Sequence, residues 1–121
     1  MKSVYMESTN CLLIALGELP DSQPHGVDAL RDGANLSLII VRNGPQFSVY
    51  LNQCPHQGRR LDYAPGQFLT KSGNIICAAH GASFSLASGL CEQGPCRGES
   101  LLKLPAEVID GRLQVDVSGV A

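Results

Sequence analysis

The chain has 121 residues, five of them cysteine and none tryptophan, and a formal net charge of −2. That length makes one domain with room for its own core. The lack of any basic run excludes the electrostatic footprint of a nucleic-acid binder and of a polybasic membrane anchor.

Cysteine usage sets the next bound. An odd count argues against a fully paired extracellular framework. Residues 1–10 carry only Lys2 as a positive charge, and the apolar run 11–16 is too short for a membrane span and leads into Gly17 rather than a cleavage site. A cytoplasmic chain with reduced thiols is expected, and free thiols are natural metal ligands.

In chain order, residues 18–33 read as loop, punctuated by Pro20, Asp21, Ser22, Pro24, Gly26 and Gly33, with a short helix expected near 27–31. Strand signals begin at Asn35. Leu36, Leu38 and Ile40 fall on one face by period two, and Ile39 and Val41 on the other. After the turn Asn43-Gly44-Pro45, residues 46–52 read as a return strand with Phe47, Val49 and Leu51 on one face. Residues 68–70 and 74–77 form a second expected hairpin around Lys71-Ser72-Gly73, and 83–86 with 90–92 a third around Ala87-Ser88-Gly89. In the tail, Asp110-Gly111 sits between 107–109 and the alternating Leu113, Val115 and Val117, a strong hairpin signal. No sustained helical period is present, and the predicted fold is all-β.

Two stretches carry chemistry: Cys54-Pro55-His56-Gln57-Gly58 and Cys77-Ala78-Ala79-His80-Gly81. Each begins at the end of a predicted strand and runs into a glycine. Together they can offer two thiolates and two imidazoles to one site. A two-iron cluster needs four protein ligands, and replacing two thiolates by imidazoles on one iron raises its potential, because the site carries less negative charge. Pro55 stiffens the C-x-H step through its fixed φ. Structural zinc also takes two cysteines and two histidines, but C-x-H is an unusual spacing for it.

The pair C-P-H-Q-G and C-x-x-H-G resembles the Rieske iron–sulfur family. The resemblance extends from about Leu36 through the segment 84–95 to the closing L-P-A-E-V-I-D-G-R-L-Q-V. It implies a [2Fe–2S] cluster with Cys54 and Cys77 on one iron and His56 and His80 on the other. It also implies that Gly94-Pro95 is the proline loop covering the cluster. A base of antiparallel strands would come from about 1–50 and 98–121, and a smaller cluster-binding subdomain from 51–97. The gap between the two ligand loops is longer than the commonest family spacing.

Two departures bear on potential. Where high-potential members carry a disulfide between the ligand loops, this chain has Arg59 and Ala79. Where they place a serine and a tyrosine after the second H-G, it has Ala82 and Phe84. Fewer hydrogen bonds to the cluster stabilise its reduced form less, so a potential on the order of −150 mV is expected. In this the chain resembles the low-potential ferredoxins that feed bacterial oxygenases. The resemblance implies an electron carrier rather than an enzyme, working between a flavin-containing reductase and a terminal oxygenase. The alternatives are a small subunit of a larger oxidoreductase such as nitrite reductase, and a zinc module without redox function.

The remaining candidates have plain readings. Cys91 and Cys96 are expected as small half-buried residues near the proline loop, with a bridging disulfide as the alternative, Cys11 as a core thiol and His25 as a solvated loop residue. Arg59 and Arg60 either form an exposed pair or add positive field near the cluster. The two histidine ligands are expected near the surface, where an electron can leave and where their ring nitrogens can titrate.

Overall fold

The computed structural model describes residues 4–8, 10–18, 23–55, 59–64, 66–77 and 81–120. The chain opens with β1 (Val4–Ser8) and β2 (Cys11–Ala15), then a 3₁₀ turn at Leu16–Glu18. A meander follows: β3 (Pro24–Arg31), β4 (Ala34–Asn43) and β5 (Gln46–Leu51). Four short strands come next, β6 (Leu69–Lys71), β7 (Asn74–Ile76), β8 (Ser83–Ser85) and β9 (Cys91–Gln93). β10 (Lys103–Leu104), β11 (Ala106–Ile109) and β12 (Arg112–Asp116) close the chain.

These strands make three antiparallel sheets, ordered β1-β2-β12-β11, β10-β5-β4-β3 and β6-β7-β8-β9. The fold is all-β, as the sequence predicts. The second sheet is the middle layer, and β4 explains why. Leu36, Leu38 and Ile40 pack with Leu12, Ile14, Leu113 and Val115 of the first sheet. Ile39 and Val41, on the opposite face, pack with Ile75 and Phe84 of the third. A strand buried on both faces must be apolar at consecutive positions, and Leu38-Ile39-Ile40-Val41 meets that demand.

The helix expected at 27–31 is instead part of β3, paired with β4 from Pro24↔Val41 to Arg31↔Ala34. Val27 is buried, Asp28 and Leu30 are exposed and Ala29 is half-buried, which is a strand period. The turn that makes this possible is Asp32-Gly33, with φ of 51° and 81°. Positive φ at both central residues is the two-residue hairpin geometry whose twist matches the flanking strands. The same geometry recurs at Ser72-Gly73 and Asp110-Gly111. His25 therefore lies within β3 opposite Ile40, half-buried, and not in a solvated loop. Arg31 at the end of β3 donates to the carbonyls of Val117 and Val120 at 3.0 and 2.9 Å, tying the meander to the chain's end. Cys11 is half-buried beside Glu7, at 3.4 Å, rather than a core thiol.

Candidate metal centre

Both ligand motifs leave the end of a strand, β5 and β7, and their first residues behave alike. The Cys54 N–H donates to the Arg59 carbonyl at 2.7 Å, and the Cys77 N–H donates to the Ala82 carbonyl at 2.7 Å. The offset along the chain is the same in both, so each cysteine begins a loop closed on its own backbone. In the second loop the Gly81 N–H adds a bond to the Cys77 carbonyl at 2.9 Å. Gly81 has φ of 73°, a left-handed conformation that costs glycine nothing.

Cys54 and Cys77 are each 1 % exposed and lie in one core cluster. Two free thiols buried together are poor candidates for the solvent and good ones for a soft metal, which binds thiolate by preference. The donor set thus fits an iron–sulfur group. His56 and His80, the other two candidates, lie outside the described residues, as do Gln57 and Gly58.

Asn52 and Asp62, silent in the sequence, and Arg60, expected there as exposed or beside the cluster, hold the first loop. Asn52 is the buried polar side chain of the described core, at 5 % exposure. Its Oδ1 accepts from the Leu61 N–H at 2.8 Å and its Nδ2 donates to Ser37 Oγ at 3.1 Å. The side chain therefore joins the loop's entrance, its exit and β4. Next along, Arg60 donates to both Asp62 oxygens at 3.0 and 2.8 Å and reaches Asp28 of β3 at 3.4 Å. Asp62 also accepts from the Gly66 N–H at 3.1 Å. The Arg60 guanidinium outweighs burial and holds the Asp62 carboxyl below the usual carboxylate range. Arg60 is thus committed to the carboxylates of Asp62 and Asp28, while Arg59 is exposed. The described part of the stretch between the two motifs holds these anchors, a bridge at Ala64↔Gln67 and the β6–β7 hairpin.

The Gly94-Pro95 turn seats on the second loop. A Cβ on Gly94, which has φ of 103°, would stand 2.8 Å from Ala82 Cα. Only glycine permits that approach, and Ala82 beneath it is fully buried. Phe84 is fully buried as well, so the positions where a serine and tyrosine would offer hydroxyls are filled by apolar groups. Cys91 and Cys96, on either side of the turn, are fully buried rather than half-buried. Their sulfurs stand 2.9 Å apart as free thiols.

A shallow cleft lined by Leu51, Gln53, Cys54, Pro55, Ser100 and Leu102 opens beside Cys54. A second cleft of about 430 Å³, on β2, β11 and β12, contains neither Cys54 nor Cys77.

Two strand-borne cysteine loops whose buried thiols share one core of an all-β fold are in keeping with an iron–sulfur protein, and the family match gives the class. The chain belongs to the Rieske [2Fe–2S] domain family, whose profile matches residues 10–110, and its cofactor is accordingly a [2Fe–2S] cluster. Among curated proteins nothing matches. Among solved structures it is similar to the ferredoxin of carbazole 1,9a-dioxygenase from Nocardioides aromaticivorans IC177, with 25% identity and a TM-score of 0.63 over 86% of this chain and 93% of that one. A chain in the complex of reduced oxygenase and oxidized ferredoxin in carbazole 1,9a-dioxygenase matches with 25% identity and a TM-score of 0.64, over 84% of this chain and 87% of that one. The terminal oxygenase of carbazole 1,9a-dioxygenase from Novosphingobium sp. KA1 shares the fold, with a TM-score of 0.70 at 16% identity over 91% of this chain. This chain spans only 30% of that oxygenase.

Proposed function

We propose that this protein is a Rieske-type ferredoxin that takes single electrons from a flavin-containing reductase and passes them to a terminal oxygenase. In this reading Cys54 and Cys77 bind one iron, His56 and His80 bind the other, and residues 51–97 form the cluster-binding part on a base from 1–50 and 98–121. The observation that carries it is the pair of matched loops, each opened by a buried cysteine whose N–H closes on the backbone. The cluster supplies one reversible electron. The chain's own residues do the rest: the two loops hold the sulfurs out of water, and Asn52 and the Arg60–Asp62 pair fix the first loop to the base.

Similarity to the ferredoxin of carbazole 1,9a-dioxygenase, at 25% identity, supports the ferredoxin reading over that of a small subunit of an oxidoreductase such as nitrite reductase. We further read the protein as an electron carrier without an activity on an organic substrate, and as cytoplasmic. Among the described residues no helix is long and apolar enough to cross a membrane.

The test is electron paramagnetic resonance of the dithionite-reduced protein, with iron and sulfide analysis, followed by reduction by a flavin reductase and reoxidation by an oxygenase. A Rieske-type signal with about two irons per chain and turnover of the oxygenase are expected. A colourless protein carrying zinc would overturn the reading.

A further inference from the structure

Two buried thiols have no part in the proposed site. Cys91 opens β9 and Cys96 follows the Gly94-Pro95 turn. Each is 1 % exposed, while residues 92–95 and 97–100 around them are exposed. The sulfur pair therefore lies just beneath surface chain. The sulfurs stand 2.9 Å apart, with the Cys96 S–H donating to Cys91 Sγ. The Cys91 S–H points elsewhere, to the Gln93 carbonyl at 3.2 Å, which leaves a sulfur lone pair facing Cys96.

Backbone bonds hold both ends of this contact. The Cys91 N–H donates to the Glu99 carbonyl at 2.7 Å, and the Gly98 N–H to the Cys91 carbonyl at 3.1 Å. The Glu99 N–H donates to the Cys96 carbonyl at 2.9 Å, and the Arg97 N–H to the Gly94 carbonyl at 3.2 Å. A disulfide sets its sulfurs about 2.05 Å apart. From 2.9 Å the sulfurs need close by less than about 1 Å, a side-chain motion that the backbone bonds do not oppose. Among the described residues no group of three histidine, cysteine or acidic side chains is placed to hold a metal ion. What this pair can do is bond to itself.

We propose that Cys91 and Cys96 form a reversible disulfide when the protein meets hydrogen peroxide, stapling the proline turn across its base. Neither thiol is among the proposed ligands, so the couple stands apart from the ligand assignment. One sulfur takes an oxygen from the peroxide as a sulfenic acid; the O–O bond breaks and a first water leaves. The other sulfur attacks the first, the S–S bond forms, the S–O bond breaks and a second water leaves. Two electrons pass from the sulfurs to the peroxide, and both thiol protons end in the waters. Burial selects the oxidant: a peroxide can enter where a bulky disulfide such as oxidised glutathione cannot reach the sulfurs. Contact selects the product, because the resolving sulfur is in place before the sulfenic acid is oxidised further. In a reducing compartment such a bond is transient, as in redox-sensing cysteines. The staple holds the turn whose Gly94 seats on Ala82, the residue whose carbonyl receives the Cys77 N–H.

The experiment uses the full chain as isolated, freed of reductant and treated with hydrogen peroxide or, in parallel, with oxidised glutathione. Remaining thiols are alkylated in denaturant. The protein is then cut with trypsin and a glutamyl endopeptidase, which cleaves after Glu92 and so between the two cysteines. Mass spectrometry is expected to find Cys91 and Cys96 joined after peroxide, both lost as alkylation sites and both restored by dithiothreitol. Cys91→Ser and Cys96→Ser form no such link. Peroxide-treated wild type melts at a higher temperature than the same sample after dithiothreitol, a shift absent from both variants. If in peroxide-treated wild type both cysteines stay alkylatable, end as sulfinic acids, or link only to Cys54 or Cys77, the proposal falls, whatever the variants do. Closure by oxidised glutathione as fast as by peroxide overturns the choice of oxidant, and a linked protein that melts no higher overturns the staple.

Discussion

The two cores share β4 but are built from different materials. On one face, Leu12, Ile14, Leu38, Ile40, Val49, Leu113 and Val115 make an aliphatic interior between two sheets. Each such side chain contributes about 1.5–3 kcal/mol when fully buried, and nothing there needs a ligand. On the other face, four of the five cysteines lie among Ile39, Tyr50, Ile75 and Phe84. The strands there are three residues long, and loops rather than ladders carry much of the order. A region of that kind is coupled to what it binds, because metal affinity is folding free energy for the residues that form the site. If Cys54 and Cys77 hold the cluster as proposed, stability is expected to depend on the cofactor in the second core and not in the first.

The strongest attack on that contrast is removal of a proposed ligand. Cys54→Ser and Cys77→Ser are each expected to lose the cluster entirely, read as loss of iron and of the visible absorption. Amide hydrogen exchange on these variants should find protection lost across residues 69–93 and retained in β2, β4 and β12. Uniform loss of protection would mean a single cooperative unit, and the contrast would fall.

Paired truncations sharpen it. Ile40 and Phe84 are both fully buried, one in each core. Ile40→Ala should cost about 2–5 kcal/mol and Phe84→Ala about 3–5 kcal/mol in thermal or denaturant unfolding. Only Phe84→Ala should also speed cluster loss to a chelator, since of the two only Phe84 shares a core with Cys54 and Cys77, the proposed ligands. Gly94→Ala comes next. Its φ of 103° and the 2.8 Å approach to Ala82 Cα force the proline loop to lift. A cost of about 1–3 kcal/mol is expected, with faster cluster loss.

What the sequence disclosed follows the same division. The alternation in 36–41 and 46–51 placed β4 with both its faces and β5 with one, and the two Cys–His motifs pointed to the family that the match over 10–110 establishes. Local signals were misread where two of them competed. Asp32-Gly33 is the same hairpin signal as Asp110-Gly111, but Pro24 and Gly26 argue for loop and Ala29-Leu30-Arg31 for helix, and pairing with β4 overrides those propensities. Asn52, Arg60 and Asp62 were not legible as anchors because their partners, Leu61, Ser37 and Asp28, are met only once the meander has folded. The approach of Cys91 to Cys96 depends on the chain reversal at Gly94, which no periodicity encodes.

The gentlest test concerns the clamp between the two regions. The Asp62 side chain is 2 % exposed, that of Arg60 is 39 % exposed, and their bidentate pair ties the first ligand loop to Asp28 of the base. Asp62→Asn should therefore cost about 1–2 kcal/mol at neutral pH, less than any core truncation. The pair's contribution also has a defined pH sign. The folded carboxyl titrates below its unfolded value, so the folded state binds its proton later than the unfolded chain does. The stabilisation is fully present above the unfolded pKa of about 3.9 and is lost as pH falls through the folded value. Unfolding free energies of wild type and Asp62→Asn, compared from pH 7 downward, should keep a constant gap until roughly pH 4 and then converge. If the gap stays constant through acid, the carboxylate charge is not what the clamp uses, and the loop is held by the Gly66 and Asn52 bonds alone.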